Sequence, residues 1–270
     1  MELAFRKMGQ GPPMVILHGL YGSSDNWVSI GRAFSDRFEV YLIDQRNHGN
    51  SPHTREHNYI VLRNDLHDFL EAQGIEKPVI LGHSMGGKAA MYFAIAWPDK
   101  VQSLIVVDIS PGSYKSLTQQ SPQSIIHLNI ITAMMGVDFS KAKSREDINR
   151  FLTQTLPSDR IRQFLLKNIK RNANGQYGWK LNVKTLHDQL PQILDGLDPK
   201  PFMNGNGITG FPVLFIRAGK SGYINEADIA LIKTIFPVAD LVTIPRADHW
   251  IHVEEPELLI KTISYFIYGK

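Results

Sequence analysis

The sequence predicts an α/β fold in which helices flank a mostly parallel central sheet and a helical cap is inserted into the sheet domain. Short apolar runs rich in β-branched residues alternate with longer helical patterns in the first part of the chain and again near its end. Continuous apolar strands separated by helices are typical of a parallel sheet that is covered on both faces. A long middle segment breaks this alternation and carries helical patterns only.

The elements of the sheet domain follow from these patterns. Strands are predicted at residues 14–17, 40–44, 79–82, 104–108, 213–217 and 241–244. Helices are predicted where apolar residues recur at helical spacing, at residues 27–34, 58–73, 86–97, 225–236 and 255–268. Because helices separate the strands, successive strands are expected to run in the same direction.

The middle segment is predicted to form a cap, or lid, over residues 115–205, with residues 1–114 and 206–270 as the core. Helical patterns lie at residues 125–135, 144–155, 160–170 and 183–190, and no strand is predicted among them. So long a connection between two strands of one sheet is uncommon unless it is functional. The segment carries 13 basic and 7 acidic residues. That excess is either a solvated basic face or a surface that attracts an anionic substrate.

Composition excludes several classes of protein. The 270 residues fit one large domain or a core with an insertion, and the lack of cysteine excludes disulfides, thiolate nucleophiles and cysteine-based zinc sites. A net charge of +3 is too small to imply nucleic-acid binding. No stretch resembles a secretory signal or reaches the roughly 18–20 apolar residues that span a bilayer. We expect a cytoplasmic protein without a nucleic-acid partner, stable membrane insertion, cofactor or metal; the oligomeric state is left open.

Ser84 is the predicted nucleophile. The strand at 79–82 runs into Gly82-His83-Ser84-Met85-Gly86, and a helix follows at once. The pattern G-x-S-x-G between a strand and a helix is typical of a sharp turn that exposes a serine hydroxyl at the carboxyl edge of a sheet. Crowding at such a turn favours small residues, here Gly82 and Gly86. The helix N-terminus supplies positive potential for developing negative charge.

The same segment has the spacing of a nucleotide-binding P-loop, Gly82-x-x-x-x-Gly87-Lys88. The residue after the lysine of a P-loop is Ser or Thr, because that hydroxyl binds Mg²⁺, and here it is Ala89. A P-loop also leaves the other motifs without a role. A turn closed by glycines without chemistry is the remaining alternative.

The oxyanion donors are predicted to be the backbone N–H groups of Leu20 and Met85. Leu20 lies in His18-Gly19-Leu20-Tyr21-Gly22, a loop directly after an early strand. In serine hydrolases with a nucleophile elbow, such a loop gives one N–H and the residue after the nucleophile gives the second.

The general base is predicted to be His249. It lies in the loop after the last predicted strand and shortly before a helix begins, so it is expected at the sheet edge that carries Ser84. His252 is the alternative, although it begins the next helix and is expected to pack locally.

Together these motifs resemble the α/β-hydrolase superfamily. They are H-G-L-Y-G, D-Q-R-N-H-G-N-S, G-H-S-M-G-G, V-V-D-I-S-P and D-H-W-I-H-V-E-E-P, and they span positions 18 to 256. The V-V-D-I-S-P stretch and a G-x-S-x-Y-I stretch without Asp resemble, more narrowly, the YbfF-type esterases and related abhydrolase-domain proteins. The resemblance implies an α/β-hydrolase fold and ester hydrolysis, with acyl-CoA thioesters among the substrates.

The segment at residues 44–51 resembles the D-x-R-G-x-G-x-S turn of this superfamily, with Asn47 and His48 in place of the more usual residues. Asp44 and Arg46 are expected to tie down the loop near the active site. A catalytic His48 is the alternative.

The acid of the triad is predicted to be Asp108. In the superfamily the acid usually follows the strand at 213–217, where this chain has Ser-Gly at 221–222; the other location is the end of the preceding strand, which here ends in Asp108. An unpaired buried carboxylate is costly, so His249 would be its partner, and the carboxylate would fix the imidazole tautomer. Alternatives are that Asp108 caps its own loop, or that Glu226 or Asp228 is the acid.

The sequence therefore predicts a serine esterase or thioesterase that works through an acyl-enzyme on a small-molecule acyl ester or thioester. Met134, Met135 and Phe151 are expected either to cover the acyl pocket or to pack in the core of the cap. The alternatives are a C–C bond hydrolase or cofactor-free haloperoxidase on the same scaffold, or a non-catalytic binding protein.

Overall fold

A computed structural model describes residues 1–115 and 121–269. Its β-strands are β1 (Phe5–Met8), β2 (Pro13–Leu17), β3 (Glu39–Ile43), β4 (Val79–His83), β5 (Ser103–Val107), β6 (Ile169–Arg171), β7 (Tyr177–Trp179), β8 (Val213–Ala218) and β9 (Asp240–Ile244). In these residues, all strands except β6 and β7 form one sheet in the order β1-β3-β2-β4-β5-β8-β9. Every pairing in it is parallel apart from that of β1 with β3.

Helices connect and cover these strands. The α-helices are α1 (Val28–Phe34), α2 (Tyr59–Gln73), α3 (Met85–Ala96), α4 (Pro122–Met135), α5 (Arg145–Thr153), α6 (Asp159–Leu166), α7 (Val183–Asp188), α8 (Leu190–Ile193), α9 (Glu226–Ile235), α10 (Ile251–Glu254) and α11 (Pro256–Tyr268). Short 3-10 helices lie at Ser24–Trp27, Pro98–Lys100 and Lys200–Gly205. The expected α/β architecture is confirmed, and the strands and helices predicted for the sheet domain begin and end within one residue of their observed bounds.

Local interactions explain where α2 begins and ends. The side chain of Asn58 accepts hydrogen bonds from the N–H groups of Ile60 and Val61, which have no acceptor inside α2. At its other end the helix stops at Gly74, whose φ of 63° is left-handed.

Two apolar layers hold the sheet. Side chains of α2, α3 and α9 pack on one face, and side chains of α1 and α11 pack on the other. The central strands β4 and β5 are buried along their whole length, which is why they appear in the sequence as continuous apolar runs. Their parallel register pairs His83 with Val107. The residues that follow the two strands therefore emerge side by side at the carboxyl edge of the sheet.

The edge strand β1 is an element that sequence patterns did not predict. It pairs antiparallel with β3, from Phe5 opposite Ile43 to Met8 opposite Val40, and most of it is exposed. An exposed edge strand needs no apolar run, and charged side chains such as Arg6 and Lys7 are typical there. Backbone pairing with β3, not hydrophobic periodicity, defines it.

The segment between β5 and β8 carries helices α4 to α8, but the expectation that it contains no strand is wrong. Strands β6 and β7 form an antiparallel hairpin with Ile169 opposite Trp179. Its loop contains Asn174-Gly175, and Gly175 has a φ of 81°. Asn-Gly between short strands is a hairpin signal, and it would have located this one. The helix predicted at 160–170 ends at Leu166 because the chain then enters the hairpin.

In the part of the chain that the structure describes, no helix combines the length and apolar character needed to cross a membrane.

Candidate active site

Ser84 occupies a strained turn between β4 and α3. Its φ of 53° and ψ of −123° are outside the regions that L-residues usually adopt. The Ser84 N–H donates to the carbonyl of Val107 on β5 (3.0 Å), and the Ser84 carbonyl accepts from the N–H of Lys88 in α3 (3.0 Å). The sheet on one side and the helix on the other therefore hold the serine in this conformation.

Two glycines make the turn sterically possible. A Cβ atom on Gly82 would lie 2.4 Å from the carbonyl oxygen of Gly86. One on Gly86 would lie 2.5 Å from the carbonyl oxygens of both Leu17 and His18. These neighbours are backbone atoms that cannot move aside, so both positions require glycine.

The structure brings Ser84, His249 and Asp108 into one hydrogen-bonded line. The Ser84 hydroxyl lies 2.9 Å from Nε2 of His249, and Nδ1 of His249 lies 2.9 Å from Oδ2 of Asp108. The second carboxylate oxygen of Asp108 accepts from the N–H of Ala218 on β8 (2.8 Å). Asp108 is fully buried. Because a carboxylate only accepts, Nδ1 carries the proton and Nε2 is free to accept the proton of Ser84.

Neighbouring groups fix the imidazole of His249. The ring of Tyr223 stacks on it, with ring centroids 3.8 Å apart and planes 16° apart. The His249 carbonyl accepts from Nε2 of His83 (2.8 Å), and its N–H donates to the side chain of Asp248 (2.8 Å). Ring and backbone are thus both held at the end of the loop that follows β9.

The alternative acids lie elsewhere. Glu226 accepts from Arg217 (2.8 Å) and its side chain is 82% exposed. Asp228 caps α9 by accepting from the N–H of Asn225 (2.8 Å), and it also accepts from the hydroxyl of Ser110. Both carboxylates are occupied by these contacts, and neither contacts His249 in the described residues.

The alternative bases also contact other groups: His48 is hydrogen-bonded through both ring nitrogens, and His252 is buried against an aromatic ring. Nδ1 of His48 donates to the carbonyl of Arg46 (2.9 Å), and Nε2 accepts from the N–H of Tyr21 (3.3 Å). His252 stacks on Trp27 with ring centroids 4.6 Å apart, and burial lowers its pKa to about 3. His252 therefore packs locally, as expected.

Of the two predicted oxyanion donors, Met85 directly follows Ser84, and Leu20 lines the same cavity as Ser84. Met85 is the first residue of α3, so its N–H has no acceptor within the helix. Leu20 follows Gly19, where an added Cβ atom would lie 3.1 Å from the Cβ atom of Ser84. It would also lie 2.8 Å from Nδ1 of His83, so the loop backbone approaches Ser84 and His83 closely and a side chain at position 19 would crowd both.

A cavity of about 140 Å³ opens beside Ser84. The core contributes Leu20, Trp27, Tyr223 and Trp250 to its lining, and the segment between β5 and β8 contributes Ile126, His127, Ile130, Ile161 and Phe164. The lining within the described residues does not include Met134, Met135 or Phe151, so the expectation that they cover the pocket is wrong. Met134 is buried, and Met135 is 46% exposed.

A family model described as the alpha/beta hydrolase fold matches residues 12–256. The chain belongs to the α/β-hydrolase family. It is 38% identical over 269 residues to a protein of Danio rerio named sn-1-specific diacylglycerol lipase ABHD11, covering 97% of this chain and 80% of that one. It is 34% identical to Esterase YbfF of Escherichia coli, covering 94% and 92% of the two chains. The expected resemblance is confirmed.

Among solved structures, the hydrolase fold of this chain is similar to that of a marine microorganism esterase. The two share 46% identity with a TM-score of 0.92, over 98% of this chain and 99% of the other. An E-2-(acetamidomethylene)succinate hydrolase is 22% identical with a TM-score of 0.78, a likeness that concerns the fold alone.

Lys88, the lysine of the P-loop-like spacing, does not face an open site in this hydrolase. Its side chain is fully buried and donates to the carbonyls of Gly112 and Asp195, each at 2.7 Å. Burial lowers its pKa from 10.5 to about 7. Lys88 therefore joins α3 to Gly112, near the start of the segment between β5 and β8, and to Asp195, near the end of that segment. Within the described part of the hydrolase, no group of three His, Asp or Glu side chains is arranged to hold a metal.

The loop after β3 is held by Asp44 and Arg46, as the sequence led us to expect. One carboxylate oxygen of Asp44 accepts from the N–H of Ser24 (2.7 Å) and the other from that of Asn50 (2.9 Å). Arg46 forms a two-pronged ion pair with Asp65, in which Nη2 lies 2.7 Å from Oδ1.

Sequence patterns did not identify the role of Tyr223 or His127. The hydroxyl of Tyr223 lies 2.9 Å from Nε2 of His127 on α4, and burial lowers the pKa of His127 to about 3, so its ring is neutral. The motif G-x-S-x-Y-I contains Tyr223, but nothing in it shows that the ring stacks on His249.

Proposed function

We propose that this protein hydrolyses carboxylic esters of small molecules through a serine nucleophile. The observation that carries the proposal is the hydrogen-bonded line from Ser84 through His249 to Asp108, at the wall of an apolar cavity. Relatives named as esterases and a lipase, which match nearly the whole chain, support the ester class.

The chemistry follows from the arrangement of donors and acceptors. Nε2 of His249 takes the proton of Ser84 as the oxygen attacks the acyl carbonyl, and Asp108 stabilises the imidazolium that forms. The N–H groups of Leu20 and Met85 bind the oxyanion, and one such donor typically lowers the activation barrier by about 3 kcal/mol. The alcohol leaves with the proton from His249. His249 then activates water, which releases the acid and regenerates Ser84.

We further propose that residues 115–205 form a cap whose inner side binds the acyl group. Its contribution to the cavity is mostly apolar, from Ile126, Ile130, Ile161 and Phe164. An apolar cavity of roughly 150 Å³ holds one benzene molecule, so a cavity of about 140 Å³ fits a short acyl chain. Thioesters of the same acids, including acyl-CoA, carry the same acyl group and undergo the same attack.

The test is an activity profile on p-nitrophenyl esters and CoA thioesters of increasing chain length. We expect ester turnover that is lost in Ser84→Ala and His249→Ala, and labelling of Ser84 by a fluorophosphonate probe. Absent ester turnover, together with cleavage of vinylogous diketones or bromide oxidation, would identify a C–C hydrolase or haloperoxidase instead. Unlabelled Ser84 in a folded protein would indicate a binding protein.

A further inference from the structure

The oxyanion loop has an unusual backbone conformation at the residue after Leu20. Tyr21 has a φ of 62°, a left-handed conformation that is unfavourable for a bulky side chain. It lies inside the turn closed by the N–H of Gly22 and the carbonyl of Gly19 (2.9 Å). Such a conformation persists only when its surroundings hold it in place.

Two side chains hold the polar groups of Tyr21. Its N–H donates to Nε2 of His48 (3.3 Å), and its carbonyl accepts from Nδ2 of Asn168 (2.7 Å). The first contact holds the peptide unit that joins Leu20 to Tyr21, and the second holds the unit that joins Tyr21 to Gly22. The Leu20 N–H belongs to the peptide unit immediately before these two. A rotation at Tyr21 would therefore turn the Leu20 N–H away from the position where the oxyanion forms.

His48 is built to accept this hydrogen bond. Nδ1 donates to the carbonyl of Arg46 (2.9 Å), so Nε2 has no proton and can only accept. The ring is fully buried, and burial lowers its pKa well below the ordinary value. Burial therefore favours the neutral ring, in which Nε2 is the acceptor that the Tyr21 N–H needs.

Asn168 reaches the loop from the segment between β5 and β8. It lies between α6 and β6 and is only 3% exposed. Its own carbonyl accepts from the N–H of Lys180 at the end of the hairpin (2.7 Å). Its side chain is thus fixed by the fold of the cap and meets Tyr21 only when the cap is seated on the core.

We propose that His48 and Asn168 are positioning residues of the oxyanion hole, and that the Asn168 contact makes the hole complete only with the cap in place. This inference rests on the proposed function. The two residues act through the Tyr21 backbone and not on substrate. Their loss therefore weakens binding of the transition state and leaves binding of the ground state unchanged.

The test compares Asn168→Leu and His48→Ala with Asn182→Ala. Leucine has the same number of side-chain heavy atoms and the same branching as asparagine but cannot donate to Tyr21. Asn182 is a matched control, because its side chain also bonds the cap to the core, through Asn47 (3.0 Å) and the carbonyl of Thr54 (3.0 Å), without contacting the oxyanion loop. Each protein is assayed for kcat and KM on a short-chain ester. Binding is measured for an alkyl boronic acid, which forms a tetrahedral adduct with the serine, and for the matching amide.

We expect kcat to fall about 10- to 100-fold in Asn168→Leu and His48→Ala, less than the loss of a whole oxyanion donor. The affinity for the boronic acid should fall by the same factor, while KM, the amide affinity and all constants of Asn182→Ala stay within about twofold. A fall confined to KM, or an equal fall in Asn182→Ala, would overturn the inference. If His48→Ala does not fold, Asn168→Leu decides alone. Failure of the proposed function would differ, because the unaltered protein would then show no ester turnover and no labelling of Ser84.

Discussion

At the scale of the residue, Asp108 shows how a fully buried carboxylate can be tolerated. One oxygen accepts from the imidazole of His249 and the other from the N–H of Ala218. A buried charge is costly unless its acceptors are satisfied, and here both oxygens are. The same two bonds fix the direction in which the carboxylate faces His249.

We expect Asp108→Asn to lower kcat by about 10³- to 10⁴-fold. An asparagine that turns its NH₂ group toward His249 would favour the tautomer with the proton on Nε2, which cannot accept from Ser84. The double variant Glu226→Gln with Asp228→Asn should keep the turnover of the unaltered protein. Ester hydrolysis by purified variants measures both, and the opposite pattern would mean that the acid is one of the two residues on α9.

Lys88 is another fully buried ionisable side chain, and its burial affects the stability of the whole protein. Burial lowers its pKa to about 7, although Asp195 and Asp228 favour the charged form. In the unfolded chain the same side chain keeps its ordinary pKa of 10.5. Between these two values the native lysine is neutral and the unfolded lysine is protonated, so unfolding takes up a proton.

Stability should therefore rise with pH between about 7 and 10, by up to ~1.4 kcal/mol per pH unit. Lys88→Met lacks this contribution. The free energy of unfolding of the unaltered protein should therefore increase relative to that of the variant by roughly 2 kcal/mol from pH 7.5 to pH 9. Urea unfolding at several pH values measures the free energy of unfolding of both. Parallel pH profiles would show that Lys88 remains charged in the native protein.

At the scale of the element, the turn between β4 and α3 depends on close approach of backbones. The position of a Cβ atom on Gly86 is occupied by carbonyl oxygens of the residues that end β2 and follow it. Neither oxygen can withdraw without moving a central strand of the sheet. The turn at Ser84, the sheet and the loop that follows β2 are therefore constrained by the same close contacts.

Gly86→Ala should lower the free energy of unfolding by about 2–3 kcal/mol through overpacking, and should also lower kcat, because the helix start carries Met85. Gly210→Ala is the control. An added Cβ at Gly210 meets nothing within 4 Å, so its stability should change by less than about 0.5 kcal/mol. Denaturant unfolding compares the two, and equal stability of both variants would contradict the steric account.

At the scale of the whole molecule, the cavity exists only because two parts of the chain meet. The sheet domain provides Ser84, His249 and part of the wall, while α4 and α6 provide another, mostly apolar part. On α6, Phe164 packs against Trp250 of the core with ring centroids 5.3 Å apart. If the cavity binds the acyl group as we propose, side chains of α4 and α6 limit the length of the chain that fits.

Phe164→Ala should shift the preference toward longer acyl chains. The space left by the ring can bury about two more methylenes of a long acyl chain, which contributes about 1.6 kcal/mol to binding of the octanoyl ester. The ratio of kcat/KM for octanoyl over butanoyl esters should therefore rise roughly tenfold. Phe139→Ala is the matched control, because Phe139 packs on Trp179 with centroids 5.4 Å apart and does not line the cavity. A ratio that changes equally in both variants would show that cap stability, not cavity size, sets the preference.

Sequence patterns predicted the elements that depend on local physics. Strands such as β4 and β5 are continuous apolar runs because both faces are covered, and Ser84 was identified because a strand, a glycine-bounded turn and a helix follow one another directly. The edge strand β1 and the hairpin of β6 and β7 were missed. Most of β1 is exposed, and β6 and β7 have three residues each with only Ile169 buried, so none of these strands carries a hydrophobic periodicity long enough to detect.

By itself, therefore, the sequence determined the layers of the fold, the turn at Ser84 and the set of candidate acids and bases. The tertiary structure alone decided which candidates meet. Asp108 lies 141 positions from His249 and contacts it, whereas Glu226 and Asp228 are nearer in the chain and bond to other groups. Tyr21 and Asn168, 147 positions apart, meet in the same way. Motifs report local backbone geometry, but a contact between distant residues depends on how the strands, helices and loops of the whole chain pack together.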